Sequence, residues 1–473
     1  MYGLILSFFV SVASGFALVS ILWPQRKLGG RDLLVRICLS LGLGPGVFSC
    51  IFFLWLALLG PPGGAFATVE VVLMLGLGVL LFRRLPRRGD PEEHPVRREE
   101  AHSSAIGWIL LAAFFVLLLA GIISFVMLAS LKPHGDWDAW VSWNLRARML
   151  YRGGDDWRLA FSPDMTRACP GYPLLLSGLV ARTWKYVGTD TVVVPILIAM
   201  LFTFAVVGLT FAGLQMLRGR TQASLAGAAL LGTPYLLSHG ASQYADVPFS
   251  FFLLATVVLI ALHNRFYDGK HGGFMVLAGL ACGLAVYTKN EGLLLMLWLI
   301  VVAAVSLARR TEKKTSFRQW AWFLAGLAGP LILFAYMEMV YAPGANYMVS
   351  GLKGSDLLAR LTDGSRHAQV GIAFMSQLFE IQRWGVLPIV LPFYLLLVGV
   401  RVNEKDKPSV LTSLWVLGLM LLSFYFIYVV AHQDLAWHVK WSLDRLLLQL
   451  WPSGIFVFFL IARTPEEAIG DAQ

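Results

Sequence analysis

The most regular feature of the chain is a succession of long apolar runs separated by short polar segments. A transmembrane α-helix needs about 20 consecutive, mostly apolar residues to cross a hydrocarbon core roughly 30 Å thick. By this criterion the sequence predicts an all-α polytopic membrane protein with about thirteen transmembrane helices. The predicted spans lie at about 2–22, 33–59, 66–82, 105–131, 190–217, 222–238, 247–263, 273–288, 292–308, 320–341, 385–400, 409–430 and 446–462.

Composition agrees with this pattern and excludes a water-soluble protein. Of the 473 residues, 58% are hydrophobic and only 14% are charged. The net charge of +10 does not indicate a nucleic-acid partner, because Lys and Arg cluster in short loops between the spans, where they set orientation. Three of the four cysteines lie in apolar runs and Cys169 stands alone in a polar loop, so we predict neither a disulfide nor a zinc-thiolate site.

The basic loops predict the orientation of the chain in the membrane. Lys and Arg are concentrated in three connections, at 26–31, 83–98 and 309–318. Basic loops are usually cytoplasmic, so the N-terminus is expected outside and the C-terminus inside. The large outer loops are then 132–189, 342–384 and 431–445.

The same pattern suggests four parts along the chain. We expect an N-terminal three-helix membrane bundle at 1–82, a solvated cytoplasmic linker at 83–104, a main membrane domain at 105–462 and a cytoplasmic tail at 463–473.

Segment 171–187 tests this division. It is apolar but short, and it contains Arg182 and Lys185. If it crossed the membrane, every later basic loop would lie outside, so we predict a juxtamembrane helix along the interface.

The first candidate for chemistry is the run Gly135-Asp136-Trp137-Asp138-Ala139-Trp140 in the first large outer loop. Two carboxylates at i and i+2 suit a general base or a pair of ligands for a divalent metal such as Mg²⁺ or Mn²⁺. The alternative is that the acids merely end a helix and that the tryptophans form an interfacial belt. We favour the belt for the tryptophans and chemistry for Asp136 and Asp138.

Two arginines follow this run, and each has two interpretations. Arg146 and Arg148 could bind a phosphate, although for each alone contact with lipid headgroups or solvent is the more ordinary role. Within the spans, Glu70 and Glu338 are unexplained polar residues that we expect to face the bundle interior.

Two further clusters lie at predicted outer ends of spans. Tyr244 and Asp246 precede one span, and an acid at membrane depth is costly unless it is paired or solvated, although Asp246 also fits a helix N-cap. The triplet Lys289-Asn290-Glu291 lies between two spans. There Lys289 could bind a lipid phosphate while Glu291 orients it or a sugar hydroxyl, and the alternative is an ordinary polar turn.

Arg445, at the predicted outer end of the final span, completes the set. A guanidinium there can bind a phosphate through two hydrogen bonds. The alternatives are a salt bridge to Asp444 or extension of the side chain to lipid headgroups.

Taken together, these motifs resemble the GT-C class of integral membrane glycosyltransferases, which includes protein O-mannosyltransferases and lipid A aminoarabinose transferases. The resemblance covers about 105–462. It rests on an early acidic outer loop, a proline-containing juxtamembrane segment, an acid in a later outer turn, the Lys-Asn-Glu run and an arginine before the final span. In this order the residues are Asp136, Asp138, Pro170, Tyr172, Pro173, Asp246, Lys289, Asn290, Glu291 and Arg445.

The resemblance implies a polyprenyl-phosphate sugar donor, inversion at the anomeric carbon, and a lipid, glycan or protein acceptor, in contact with membrane lipids. We then expect an enzyme of the bacterial inner membrane with its site facing the periplasm or exterior. Asp136 and Asp138 would act as base or metal ligands, and Lys289 and Arg445 would stabilise the phosphate. The acceptor or metal would be positioned by Asp246. The sequence departs from the usual pattern of this class in two ways. Three spans precede the acidic loop, and the juxtamembrane segment lacks a His-Pro-Pro form.

The competing hypothesis is a transporter or flippase for a lipid-linked sugar, because charges inside a membrane also line translocation paths. A scaffold without chemistry is a third possibility. The gathering of charged motifs at the outer ends of spans favours transfer chemistry over a path through the midplane.

Overall fold

The computed structural model describes residues 1–24, 30–85, 105–165, 168–266, 271–309, 313–342 and 354–470. Apart from its first three residues, the predicted 83–104 linker lies outside these ranges. Most of the basic residues at 26–31 and residues 471–473 of the predicted tail lie outside them as well.

The chain folds into helices. In the first half these are α1 (Tyr2–Leu22), α2 (Arg31–Leu59), α3 (Gly64–Arg84), α4 (Ala105–Leu131), α5 (Asn144–Arg152), α6 (Leu175–Val187), α7 (Val193–Leu217), α8 (Arg220–Leu231), α9 (Pro234–Ala241) and α10 (Asp246–Phe266). In the second half they are α11 (Gly273–Thr288), α12 (Glu291–Arg309), α13 (Lys313–Val340), α14 (Gly354–Thr362), α15 (Gly364–Gln377), α16 (Ile381–Trp384), α17 (Leu387–Val398), α18 (Lys407–Val430), α19 (Leu435–Ile461) and α20 (Pro465–Gly470).

The all-α polytopic fold expected from the sequence is confirmed. In the described ranges, ten helices are long and apolar enough to cross a membrane: α1, α2, α3, α4, α7, α10, α12, α13, α18 and α19. The other three predicted spans coincide with shorter helices. The 222–238 run divides into α8 and α9 at Pro234, which begins α9 because proline cannot donate the backbone hydrogen bond that a helix interior needs. The other two runs form α11 and α17.

The start of the last long helix differs from the prediction. We expected a loop at 431–445, but α19 begins at Leu435, so that expectation is wrong for most of its length. Arg445 therefore lies inside the helix, about 15 Å from its start at 1.5 Å per residue.

Helix α10 forms the centre of the bundle. The membrane-length window of α10 is fully buried in the protein, and the helix packs against α7, α11 and α19. By contrast, α3 and α4 expose most of their side chains, as expected for helices at the lipid boundary. Asp246 begins α10, Lys289 follows α11 and Arg445 lies within α19, so these candidate residues belong to α10 or to helices packed against it.

Glycines allow α11 and α13 to cross closely. A Cβ atom added to Gly279 would lie 1.9 Å from the carbonyl oxygen of Phe323, and one added to Gly326 would lie 1.9 Å from that of Val276. Such close backbone approach is typical of small residues at helix contacts in membranes.

The N-terminal helices pack directly on the rest of the bundle. Helix α2 contacts α7, α10 and α11, and α1 and α2 both contact α6. A buried ion pair joins α3 to α6, with Arg182 Nη2 and Glu70 Oε2 2.7 Å apart and both side chains fully buried. Glu70 thus faces the bundle interior, as expected. Helix α6 is too short to cross the membrane, and its residues Leu175 to Trp184 are buried by protein.

Candidate active site

The acidic run is joined to the segment before α10 by a tight backbone contact. Gly135 has φ +73°, and a Cβ atom there would lie 2.5 Å from the carbonyl oxygen of Ser242. The next backbone N–H, of Asp136, donates to that same oxygen at 3.2 Å. Only glycine fits this turn, so the sequence Gly135-Asp136 fixes where the acidic run lies.

Side chains strengthen this junction. The buried residue Gln243 has φ +62° and donates from Nε2 to the carbonyl oxygen of Pro133 at 3.1 Å. Its Oε1 accepts a hydrogen bond from Asn144 Nδ2 at 2.9 Å. A left-handed conformation at a non-glycine residue is uncommon and often marks a functional segment.

Asp138 faces Arg445. Asp138 Oδ2 lies 2.7 Å from Arg445 Nη1, although the two residues are 307 positions apart in the chain. Tyr244 organises both residues. Its hydroxyl accepts a hydrogen bond from the backbone N–H of Asp138 at 3.1 Å, and its ring lies 4.7 Å below the Arg445 guanidinium. Burial raises the pKa of Tyr244 to about 12, so the phenol remains neutral. The run Ala139–Trp143 that follows is a π-helix, a form frequently found at functional sites.

Asp246 is the buried centre of the cluster. Its side chain is fully buried at the first position of α10. Oδ1 accepts hydrogen bonds from Lys289 Nζ at 2.7 Å and from Gln449 Nε2 at 2.7 Å. Oδ2 accepts from Arg445 Nε at 3.2 Å and faces His239 Nε2 at 3.1 Å. The carboxylate thus binds four side chains from three segments, α9, the turn after α11, and α19, which goes beyond the N-cap role considered from the sequence.

Lys289 and Gln449 join the same two carboxylates. Lys289 Nζ lies 2.7 Å from Asp246 and 3.0 Å from Glu291, and Gln449 Nε2 lies 2.7 Å and 3.2 Å from the same pair. Burial alone would lower the pKa of Lys289, but the two carboxylates outweigh it and hold that pKa above its ordinary value. Lys289 therefore stays charged. Asn290 forms the turn from α11 to α12, where its carbonyl oxygen accepts from the backbone N–H of Leu293.

Arg445 is the cation of this cluster with the greater exposure. Its side chain is 19% exposed, against 6% for Lys289. The alternative that it pairs with Asp444 is wrong, because Asp444 forms an ion pair with Arg383 from α16. Arg445 is therefore the more accessible of the two cations, whereas Lys289 lies beside the buried carboxylates of Asp246 and Glu291.

Asp136 lies beside this cluster without joining it. Its carboxylate binds Lys132 Nζ at 2.7 Å and Ser242 Oγ at 2.8 Å, and its side chain is 39% exposed. Partial burial would raise the pKa of Asp136, but the hydrogen bonds from Lys132 and Ser242 lower it below its ordinary value. Of the two candidate acids, the structure brings Asp138 alone into contact with Arg445.

Two further residues of the cluster, His239 and Gln449, were not among the candidates predicted from the sequence. His239 lies on α9, and its Nε2 must carry a proton to donate to the Asp246 carboxylate, which makes Nδ1 the unprotonated nitrogen. Burial lowers the pKa of His239 below its ordinary value, although Asp246 partly opposes this effect. A sequence signal existed for Gln449, which lies four residues after Arg445 and so on the same helical face.

The two arginines that follow the acidic run contact other groups of the protein. Arg146 is buried and donates to the carbonyl oxygens of Ala160, Pro170 and Tyr172. Arg148 pairs with Asp190 at 3.2 Å. Both contacts differ from the phosphate, headgroup and solvent contacts considered from the sequence.

The three tryptophans of the acidic run do not share one environment. Trp137 and Trp140 are exposed and contact each other edge to face. Trp143 is buried and stacks on Tyr172, with the ring planes 10° apart. A belt role therefore fits Trp137 and Trp140 but does not extend to Trp143.

The donor set does not fit a resident metal ion at Asp136 and Asp138. Asp136 binds Lys132 and Ser242, and Asp138 binds Arg445. Across the described parts of the chain, no group of three or more His, Cys, Asp or Glu side chains is placed to hold a metal.

Comparison with known proteins supports the class expected from the motifs. The family model described as dolichyl-phosphate-mannose-protein mannosyltransferase matches residues 171–341, which include Tyr244, Asp246 and the 289–291 triplet. No curated protein and no solved structure matches the chain. The matched family is a GT-C family, so the resemblance to GT-C class membrane glycosyltransferases is confirmed. That description names a dolichyl-phosphate-mannose donor and a protein acceptor for the matched family.

Proposed function

We propose that the cluster around Asp246 is the active site of a hexosyltransferase that moves a sugar from a polyprenyl-phosphate donor to an acceptor hydroxyl. The observation that carries the proposal is the ion pair of Asp138 with Arg445 beside the buried carboxylate of Asp246. An acid that can accept a proton and a guanidinium that can hold a phosphate lie side by side there, as glycosyl transfer requires.

In the proposed reaction Asp138 is the general base. The acceptor hydroxyl transfers its proton to the Asp138 carboxylate while its oxygen bonds to the anomeric carbon of the donor. The bond between that carbon and the phosphate oxygen breaks, and its electron pair leaves with the polyprenyl phosphate. A single displacement of this kind inverts the anomeric centre.

Arg445 and Lys289 would stabilise the leaving group. A sugar phosphodiester carries one negative charge, and the departing phosphate gains another. Arg445 presents a planar set of N–H donors that suits phosphate oxygens, and Lys289 adds a fixed positive charge behind it. The two cations remain in place because Asp246 and Glu291 hold Lys289, and Asp246 also holds Arg445.

The remaining candidate residues would position these groups. Tyr244 holds the backbone of Asp138 and the face of Arg445, and Asn290 shapes the turn that carries Lys289 and Glu291. We assign Asp246 a role as buried counter-ion that positions Arg445 and Lys289. Asp136 would support the acidic run from the edge of the site through Lys132 and Ser242.

The proposed setting is the bacterial inner membrane, with the site facing the periplasm or exterior. The charge distribution of the loops supports this orientation. The acceptor would be a lipid, glycan or protein that bears a hydroxyl group. Mannose is the first sugar to test, since the description of the matched family specifies it.

The test is incubation of purified protein in liposomes with a panel of polyprenyl-phosphate sugars, beginning with polyprenyl-phosphate mannose, and a mixture of candidate acceptors. The proposal expects free polyprenyl phosphate together with glycosylated acceptor. Movement of the intact donor across the bilayer, without release of polyprenyl phosphate from any sugar of the panel, would support a flippase and overturn the proposal.

A further inference from the structure

The cluster of charged side chains around Asp246 contains more negative than positive charge. Asp138, Asp246 and Glu291 face only two cations, Lys289 and Arg445, and His239 is neutral at pH 7 because burial lowers its pKa. An anionic donor phosphate would add a further negative charge. Its binding therefore requires one carboxylate to move away from the cations.

Asp138 is the carboxylate best able to move. Its side chain is 31% exposed, whereas that of Glu291 is 11% exposed and that of Asp246 is fully buried. Withdrawing Asp246 would leave a buried charge without partners, which is strongly destabilising. A partly exposed carboxylate can instead exchange its ion pair for water at a modest cost.

The local structure lets the Asp138 side chain leave while its backbone remains in place. The backbone N–H of Asp138 is bound by the Tyr244 hydroxyl, and the Tyr244 ring also contacts the guanidinium. Arg445 meanwhile keeps its contact with Asp246 through Nε and Nη2, so the Nη1 edge alone changes partner.

We propose that the donor phosphate replaces Asp138 on Arg445, so that donor binding itself releases the catalytic base. This inference rests on the proposed function. Before the donor binds, the Asp138 carboxylate is held by Nη1 of Arg445. When the phosphate oxygen accepts that hydrogen bond, the carboxylate turns toward the acceptor and takes up the hydroxyl proton.

The exchange gives the reaction an order. Donor must bind before a productive acceptor complex forms, because Asp138 remains paired with Arg445 until the phosphate arrives. Steady-state kinetics with varied donor and acceptor should therefore show compulsory order, with donor first.

The direct test measures binding of bare polyprenyl phosphate to purified protein in liposomes. Asp138→Asn removes the competing carboxylate and should tighten binding about fivefold, or ~1 kcal/mol at 1.4 kcal/mol per tenfold. Asp136→Asn removes a charge two residues away that does not bind Arg445, and it should give a clearly smaller gain. An equal or larger gain in Asp136→Asn would indicate general electrostatics and overturn the exchange.

A double-mutant cycle separates competition from long-range charge effects. With Arg445→Gln as background, adding Asp138→Asn should no longer tighten binding, because the contested cation is absent. The same fivefold gain in both backgrounds would contradict the proposal. If Arg445→Gln binds too weakly to titrate, the comparison of Asp138→Asn with Asp136→Asn decides alone.

These outcomes are distinct from failure of the proposed function. A wild-type protein that releases polyprenyl phosphate, combined with unchanged or weaker binding by Asp138→Asn, refutes the exchange and leaves the transferase intact. A wild-type protein that neither binds polyprenyl phosphate nor releases it from any donor refutes both.

Discussion

Arg445 lies 3.2 Å from the carboxylate of Asp246, a residue 199 positions earlier in the chain. This contact joins the last long helix, α19, to the central buried helix, α10. Because Asp246 also binds Lys289, Gln449 and His239, one buried carboxylate holds together the segments that carry the candidate chemistry. The arrangement explains how a guanidinium can lie well inside a helix of membrane length, since its charge is paired on two sides.

The first prediction concerns Arg445. Replacement by Ala should weaken binding of polyprenyl phosphate by about tenfold to a hundredfold, the range of a lost charge-assisted hydrogen bond of ~1.5–3 kcal/mol. The measurement is a binding titration alongside thermal unfolding in the same detergent. The loss of thermal stability should be small beside the loss of affinity, because Lys289, Gln449 and His239 still form hydrogen bonds with Asp246. Unchanged donor affinity would indicate that Arg445 has a purely structural role.

The second prediction concerns the buried ion pair between α3 and α6. Glu70→Gln leaves Arg182 buried without its counter-ion and should lower the free energy of unfolding by about 3–5 kcal/mol, the usual cost of breaking such a pair. Thermal or denaturant unfolding in detergent measures this effect.

Two comparison variants make that measurement specific. The double variant Glu70→Leu, Arg182→Met should recover most of the loss, because apolar side chains replace both charges. Glu404→Gln, in an exposed pair with Lys407, should leave stability unchanged. A loss in Glu404→Gln as large as that in Glu70→Gln would contradict the special role of the buried pair.

The third prediction is the pH dependence contributed by His239. Its pKa in the folded protein lies below the ordinary value of 6.5, so the neutral form is favoured by folding. The contribution of neutral His239 to the free energy of unfolding is fully present above pH 6.5. This contribution is lost as the pH falls through the lower pKa of His239 in the folded protein. Transfer activity should therefore show no inflection between pH 8 and pH 6.5.

His239→Gln provides the matched comparison, since an amide can still donate to Asp246 but does not titrate. We expect its pH profile to follow that of the wild type above pH 6.5 and to retain activity at lower pH. A wild-type midpoint at or above pH 6.5 that disappears in His239→Gln would contradict the assignment of a neutral histidine.

The fourth prediction concerns metal ions. Because Asp136 and Asp138 are already bound by Lys132 and Arg445, transfer should continue at an unchanged rate after exhaustive treatment with EDTA. Loss of activity on chelation that Mg²⁺ or Mn²⁺ restores would show that a divalent cation displaces these side-chain contacts during the reaction.

Much of the fold could be predicted because the membrane imposes a simple length rule. A helix that crosses lipid must satisfy its own backbone and present apolar side chains, so ten of the long apolar runs match helices of membrane length in the described residues. The start of α19 was missed because Lys440, Asp444 and Arg445 interrupt the apolar pattern. A hydropathy pattern treats each charged residue by itself. It could not show that Arg445 pairs with Asp138 and that Asp444 pairs with Arg383.

The site could be predicted in its residue types but not in its pairing. Asp138, Asp246, Lys289 and Arg445 were all chosen from the sequence, and they meet in one cluster. The spacing of Asp136 and Asp138 could not show which acid faces Arg445, because that choice depends on the close contact of Gly135 with the Ser242 carbonyl. Gln449 was missed because it lies within an apolar run, where an isolated amide looks like a packing residue.

The most direct test of the active-site assignment compares wild type with Asp138→Asn in a transfer assay that follows release of polyprenyl phosphate from polyprenyl-phosphate mannose, or from whichever panel sugar is active. Loss of a general base typically lowers the rate by about 10²–10⁴-fold. We predict a fall of this size in Asp138→Asn, with correct insertion and with binding of polyprenyl phosphate no weaker than in the wild type. Undiminished turnover in Asp138→Asn would contradict the placement of the active site at the Asp138–Arg445 contact.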